Sequence, residues 1–324
     1  MGMLAIPLAL AMLGRRPSPA ASWAQLSAYY QYTPPAEFHV FEQDWPQTDT
    51  LEVRLYFQGF ANQFARGVFI RPLAPGRYPL VLLLHGLGGS KENAVRSWAK
   101  PFLDAGCSVF ALDAPYHGES RTKENDAILA RMYAEIGKIK NRRNLVAEAL
   151  RTDSDHQFEN YFTDVIHNGV LNYRLAIDYL SQRPDVDPSR VHVLGASMGA
   201  IMGAILGSVD SRVKSMCLMV GGDPIVSRLY DGADGDRDRL MPVSPSLYIP
   251  QFAGRPLLMV NGLSDATIPP SAAALLFQCA AQPKEIRWYT TGHDLNDQAH
   301  RDAITWLIHE VTGATTAVPV FSLR

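Results

Sequence analysis

The chain has 324 residues, of which 47% are hydrophobic and 19% charged, with a formal net charge of −2. That composition suits a globular protein; without a basic stripe it gives no electrostatic reason to expect nucleic acid, and no stretch is long and apolar enough to span a membrane. Cys107, Cys217 and Cys279 are odd in number and scattered, so buried thiols are expected and not a disulfide framework.

At the N-terminus Leu4 to Leu13 is an apolar run of signal-peptide size, followed by small residues between Pro17 and Ala24. No Lys or Arg precedes the run, whereas Arg15 and Arg16 follow it, which inverts the polarity of a secretion signal. Residues 1–22 therefore read as an extension or docking segment, with ordered structure starting near Trp23. A cytoplasmic location is the expectation; secretion or periplasmic export is the alternative if residues 1–22 act as a signal. The α/β pattern runs on from there to the end, favouring one domain over residues 23–324 with one insertion.

Leu51 to Phe57 and Gly67 to Ile70 read as antiparallel strands entering a sheet. Leu80 to Leu84 is a buried strand that ends in His85-Gly86-Leu87-Gly88-Gly89. Glu92 to Ala105 reads as a helix stopped by Gly106, and Ser108 to Leu112 as the next strand. Arg121 to Gln157 then interrupts the core pattern. Ala127 to Ile139 and Leu145 to Leu150 are helix-like, and Lys138 to Arg143 is basic. An insertion at the carboxyl ends of the strands sits where a site would open, so a small helical cap is expected over about 121–157. Met132 and Tyr133 on its first helix are the candidate substrate contacts. One adapts its shape and the other offers area with a polar tip.

Phe158 to Gln182 reads as a long helix, and Asp187-Pro188-Ser189-Arg190 turns the chain into a buried strand at Val191 to Leu194. That strand stops at Gly195-Ala196-Ser197-Met198-Gly199, and an apolar helix begins at once. A serine lifted onto a strained turn brings strand and helix backbones together, leaving little room for side chains two positions before and after it. This strand–turn–helix is a nucleophile elbow, and Ser197 is thus the candidate nucleophile. Met216 to Val220 is the following strand. Within Ile225 to Phe252, Asp234, Asp236 and Asp238 match the start of a calcium loop, as part of a cluster with Asp231. Arg239 stands where that loop needs glycine, however, and Pro245 where the bidentate Glu belongs, so a solvated acidic loop is expected.

Pro256 to Val260 and Ile286 to Tyr289 are two more short apolar runs. Asn261-Gly262-Leu263-Ser264-Asp265 follows the first and Thr290-Thr291-Gly292-His293 the second. Acid and histidine, each just past a strand and in the order serine, acid, histidine, complete a triad. Asp265 is the orienting acid and His293 the general base that activates the weakly nucleophilic hydroxyl. Two backbone N–H groups are expected to hold an oxyanion, one from Met198 and one from Leu87, with Gly88 as the alternative to Leu87. Asp223, past the strand after the elbow, is the reserve acid. Asp113 and His117 read as a structural turn, His85 as an organiser of the oxyanion loop, and His300 as a solvated helix residue. His156 and His167 lack a paired-ligand pattern, so no metal site is expected.

Together these pieces resemble the α/β-hydrolases, in the esterase and dienelactone-hydrolase-like branch that includes acetyl xylan esterases, more than lipases with an HGGG loop. The resemblance rests on the His85–Gly89 loop, Asp113-Ala114-Pro115-Tyr116-His117-Gly118-Glu119-Ser120, the elbow, the Asn261–Asp265 segment and Gly292-His293, spanning roughly residues 65 to 310. It implies an α/β-hydrolase fold: a mostly parallel central sheet with helices on both faces and a small helical cap. It also implies a serine carboxylic-ester hydrolase that works through an acyl-enzyme on small to medium esters and needs no cofactor. A peptidase or amidase with the same triad, or a lyase or acyltransferase on the same scaffold, is the alternative. A haloalkane dehalogenase is disfavoured because its elbow nucleophile would be Asp. The expected partner is a small-molecule ester.

Overall fold

The structure, a computed structural model, describes residues 22–60, 63–139, 144–225 and 239–313. The apolar run of residues 4–13, the residues Lys140 to Arg143 of the basic run, and Asp231, Asp234, Asp236 and Asp238 lie outside the described residues.

Alternation along each strand decides which side of the sheet a residue covers. In β4, Tyr78–Leu84, the side chains of Leu80, Leu82 and Leu84 enter one core cluster, while Val81 and Leu83 enter the other. A strand buried on both faces needs an apolar residue at every step, which explains an unbroken run of leucine and valine. The other strands are β1 (Val40–Pro46), β2 (Thr50–Gln58), β3 (Phe64–Pro72), β5 (Ser108–Leu112), β6 (Val186–Ala196), β7 (Val213–Met219), β8 (Leu257–Gly262) and β9 (Lys284–Tyr289). They form one sheet in the order β1-β2-β3-β5-β4-β6-β7-β8-β9. Pairings from β1 to β5 are antiparallel, and those from β5 through β4 to β9 are parallel. The sequence reading contains no counterpart of β1. This edge strand is exposed along nearly its whole length, so it lacks a buried apolar stripe.

The helices are α1 (Trp23–Ala28), α2 (Lys91–Asp104), α3 (Lys123–Lys138), α4 (Leu145–Thr152), α5 (Gln157–Leu180), α6 (Met198–Val209), α7 (Pro245–Tyr248), α8 (Pro270–Cys279) and α9 (Asp297–Thr312). α2 and α9 cover one face of the sheet, with Trp98, Phe102, Ile304 and Leu307 in its core. α5, α6 and α8 cover the other, with Val165, Ile166, Ile205 and Leu276. The fold is α/β with helices on both sides of a mostly parallel sheet.

α3 and α4 make up the 121–157 insertion. Besides the packing of Leu129, Met132, Ala149 and Leu150 in the core, two hydrogen bonds tie it to the loops: the Leu145 N–H donates to the Ala266 carbonyl at 2.9 Å, and Asn144 Nδ2 donates to the Pro224 carbonyl at 2.9 Å. Pro224 follows β7 and Ala266 follows β8, so the insertion rests on loops at the carboxyl ends of the parallel strands. Open α/β sheets present their functional groups at that end.

Candidate active site

Ser197 stands between β6 and α6 with φ 55° and ψ −118°. Backbone conformations of this kind cost a non-glycine residue about 1–3 kcal/mol and persist only where the surroundings enforce them. The flanking glycines show how. A Cβ on Gly195 would lie 2.3 Å from the Gly199 carbonyl oxygen, and one on Gly199 would lie 2.1 Å from that of Leu84. Both obstacles are backbone and cannot swing away. The serine is thus held up by strand β4 and helix α6 pressed together.

The next two residues arrive on loops that are stitched to each other. Leu263 and Ser264 donate their N–H groups to the carbonyls of Tyr289 and Thr291, at 2.8 and 2.9 Å. Gly262 sits where a Cβ would come within 2.1 Å of the Gly292 carbonyl oxygen. This close approach sets Asp265 against His293. Asp265 Oδ2 lies 2.8 Å from His293 Nδ1, and His293 Nε2 lies 2.8 Å from Ser197 Oγ. The other carboxylate oxygen, Oδ1, accepts the N–H groups of Thr267 and Ile268, at 2.8 and 3.0 Å. With the carboxylate side chain only 1% exposed, its orientation is fixed from both ends. Asp265 can only accept from Nδ1, which leaves the Nε2 lone pair for the serine proton.

Beside Ser197 lies a cavity of about 310 Å³. Gly86 and Leu87 form one wall, and Met198 opens helix α6 directly behind the serine. The helix N-terminus favours negative charge at this point. The loop that carries Leu87 is braced by His85. Ala114 N–H donates to His85 Nε2 at 3.0 Å, so the ring proton is on Nδ1, which donates to the Gly86 carbonyl at 2.8 Å. Burial pushes the His85 pKa down to about 4, consistent with a neutral imidazole that serves as a brace.

Two of the sequence-stated candidates lie elsewhere. Met132 is buried in the core, and Tyr133, 51% exposed, has its hydroxyl 3.5 Å from the point a Cβ on Gly88 would occupy. Neither lines the cavity. The apolar face of α3, with Leu129 and Met132, turns inward onto the core, while Tyr133 lies against the loop at Gly88. Asp223 is committed to the segment at α7: its Oδ2 accepts the Ser244 hydroxyl and the Ser246 N–H, and its Oδ1 the Ile225 N–H. Asp113 pairs with the buried Lys91, at 2.8 Å to Nζ and 2.8 Å to the backbone N–H. It has no hydrogen bond to His117, whose Nδ1 lies 2.9 Å from the Pro115 carbonyl. His167 Nε2 is 2.6 Å from the Tyr29 carbonyl.

Sequence reasoning missed three parts of the cavity wall. Met219 and Val220 lie at the end of β7, and Val220 has φ 43°, an outlier for a β-branched residue. His300, expected to be a solvated helix residue, instead faces the cavity from the first turn of α9. The signal that could have found it is spacing: only Asp294, Leu295 and Asn296 separate His293 from α9, so that turn cannot leave the site.

The family model for the alpha/beta hydrolase fold matches residues 79–241. Among solved structures, acetyl xylan esterase 1 from Thermoanaerobacterium sp. JW/SL YS485 is similar at a TM-score of 0.64 and 18% identity, over 90% of this chain and 92% of that one. The acetyl xylan esterase from Paenibacillus sp. R4 is similar at 0.62 and 18% identity, over 90% of this chain and 100% of that one. A cold-adapted esterase from an Arctic intertidal metagenomic library follows at 0.59 and 18%, over 87% and 100%. At this identity the likeness is one of fold. No curated protein sequence matches the chain.

Proposed function

The chain belongs to the α/β-hydrolase fold family, and from that membership we propose that it is a serine carboxylic-ester hydrolase that works through an acyl-enzyme. One observation carries the reading: the unbroken series Asp265–His293–Ser197, with both links at 2.8 Å. Ser197 Oγ attacks the ester carbonyl while His293 Nε2 takes its proton. The Leu87 and Met198 N–H groups hold the oxyanion of the tetrahedral intermediate. His293 then protonates the departing alcohol, and water activated by the same imidazole releases the acid. Asp265 keeps the ring in the productive tautomer and stabilises the imidazolium that forms.

The esterases with similar folds support an ester substrate. The cavity, at about 310 Å³, lies at the small end of ligand pockets, which span about 300–1,000 Å³, and suits small to medium esters. The insertion at 121–157, seated on Pro224 and Ala266, acts as the cap.

The test is Ser197→Ala. The purified variant should stay folded, lose turnover of 4-nitrophenyl acetate and no longer be labelled by a fluorophosphonate probe. Retention of more than a small fraction of wild-type turnover would remove Ser197 as the nucleophile. Comparison of 4-nitrophenyl esters with the matching anilides distinguishes an esterase from an amidase.

A further inference from the structure

His300 is held by a capped turn and not by a loose loop. Its N–H donates to the Asn296 carbonyl at 3.2 Å, and the Asn296 side chain caps α9 by accepting the Ala299 N–H at 2.9 Å. The ring forms part of the wall of the Ser197 cavity. Nδ1 is enclosed and has no hydrogen-bond partner. Nε2 is not among the enclosed polar atoms, and among the described residues no protein group bonds to it. It is therefore the accessible nitrogen of a residue that lines the cavity.

Burial lowers the His300 pKa from its ordinary value, with Asp297 acting the other way, so the ring carries one proton near neutral pH. That proton belongs on Nε2. An enclosed N–H without an acceptor is rarer than an enclosed lone pair, and leaving it unpaired costs its full desolvation. Leu87, Met219, Val220 and Leu295 supply apolar parts of the cavity wall, and Asp294 adds a carboxylate. His293 is occupied by Asp265 and Ser197. Besides the Leu87 and Met198 N–H groups assigned to the oxyanion, the His300 ring thus offers a neutral side-chain N–H donor in the cavity that Ser197 lines.

We propose that His300 is a specificity-determining residue whose Nε2–H binds an acceptor oxygen carried by the substrate next to the scissile ester. The site then favours esters bearing such an oxygen over their all-carbon isosteres. This inference rests on the ester-hydrolase reading above. No hydrogen bond joins His300 to Ser197, Asp265 or His293, so it takes no part in the proton transfers.

Two isosteric pairs test it. Ethyl methoxyacetate against ethyl butyrate places the oxygen on the acyl side; 2-methoxyethyl acetate against butyl acetate places it on the alcohol side. kcat/KM is measured by pH-stat for the wild type, His300→Phe and His300→Gln, with the Tm of each. Each variant is compared with the wild type on the same ester, which cancels differences in intrinsic reactivity. In one pair, His300→Phe should lower the methoxy member about ten-fold relative to its carbon isostere, the worth of one neutral hydrogen bond. His300→Gln keeps an N–H donor and should restore most of that loss, and the responding pair identifies the side of the ester that His300 reads. If His300→Phe does not fold, His300→Leu takes its place. Equal changes within both pairs, or a loss that His300→Gln does not restore, overturn the proposal. A wild-type protein that hydrolyses none of the four esters overturns the ester-hydrolase reading and this inference with it.

Discussion

Replacing Asp265 by Asn keeps the shape of its loop and reverses the direction of one proton. Oδ1 faces two donors, the N–H groups of Thr267 and Ile268 at 2.8 and 3.0 Å. The amide oxygen of Asn must take that place, because an NH2 group there would meet donors only. The NH2 group then points at His293 Nδ1, across the 2.8 Å now spanned by the carboxylate. Nδ1 has to accept, the ring proton moves to Nε2, and the imidazole can no longer accept the Ser197 hydroxyl proton. A wrong tautomer in a Ser-His-Asp triad lowers kcat by about 10⁴, equivalent to about 5 kcal/mol of barrier at 1.36 kcal/mol per decade. Both backbone bonds to the side chain survive, so Tm should barely move. The assay is kcat and KM on 4-nitrophenyl acetate together with a thermal melt. Asp223→Asn is the matched control: its carboxylate anchors Ser244 and Ser246, so it should lower Tm and leave kcat within about ten-fold. The reasoning fails if Asp265→Asn keeps more than about a hundredth of wild-type kcat, or if Asp223→Asn is the more damaging to kcat.

Gly199→Ala should prevent folding or cost several kcal/mol, since its Cβ would meet the Leu84 backbone at 2.1 Å. Gly137→Ala, on an exposed helix position with nothing within 4 Å, should raise stability by about 0.4–1 kcal/mol; both are read by chemical denaturation. Burial also pushes the His85, His117 and His192 pKa values down to about 4. Because the unfolded chain takes up protons near pH 6.5 and the folded one does not, their contribution is full above about pH 6.5 and is lost as pH falls towards 4. Tm should therefore drop between pH 7 and pH 5, and His192→Asn should flatten that slope; an unchanged slope in the variant would refute the assignment for His192. Met132→Ala should cost about 2–5 kcal/mol, while Tyr133→Ala, at an exposed side chain, should keep Tm; since neither residue lines the cavity, both should leave the ranking within an ester panel alone. A changed ranking in either variant would restore that residue as a substrate contact.

The positions of Ser197, Asp265 and His293 were legible because each follows a short strand rich in apolar residues, unbroken in Leu257–Val260 and interrupted once elsewhere, by His192 and by Arg287. A buried parallel strand leaves that mark in the residues, and its carboxyl end can be located to within a residue or two. The loop that brings Gly86 and Leu87 to the cavity was legible for the same reason, following directly on Leu84. The cavity wall was not. Val220 reads as one more strand residue, and nothing in its neighbours announces a positive φ. His300 obeys helical periodicity, which separates polar from apolar faces but does not say what a face looks onto. Met132 and Tyr133 show the same limit. Neighbouring residues on a helix point about 100° apart; here Met132 enters the core and Tyr133 does not, and their chemistry alone does not decide which. β1 was missed because its exposure removes the alternation that marks a strand.

The docking of the insertion has a consequence for protein engineering. Its Leu145 N–H is bound to the carbonyl of Ala266, the residue after Asp265, and Asn144 to that of Pro224, the residue after Asp223. Segment 121–157 is thus not a detachable accessory. Excising it, or grafting a foreign segment in its place, strips a donor from the backbone that positions the acid. Such a chimera would mix slower turnover with altered selectivity. Grafts that place the seam before Asn144 and keep Asn144-Leu145 in native register would leave the acid loop supported and allow the two effects to be measured separately.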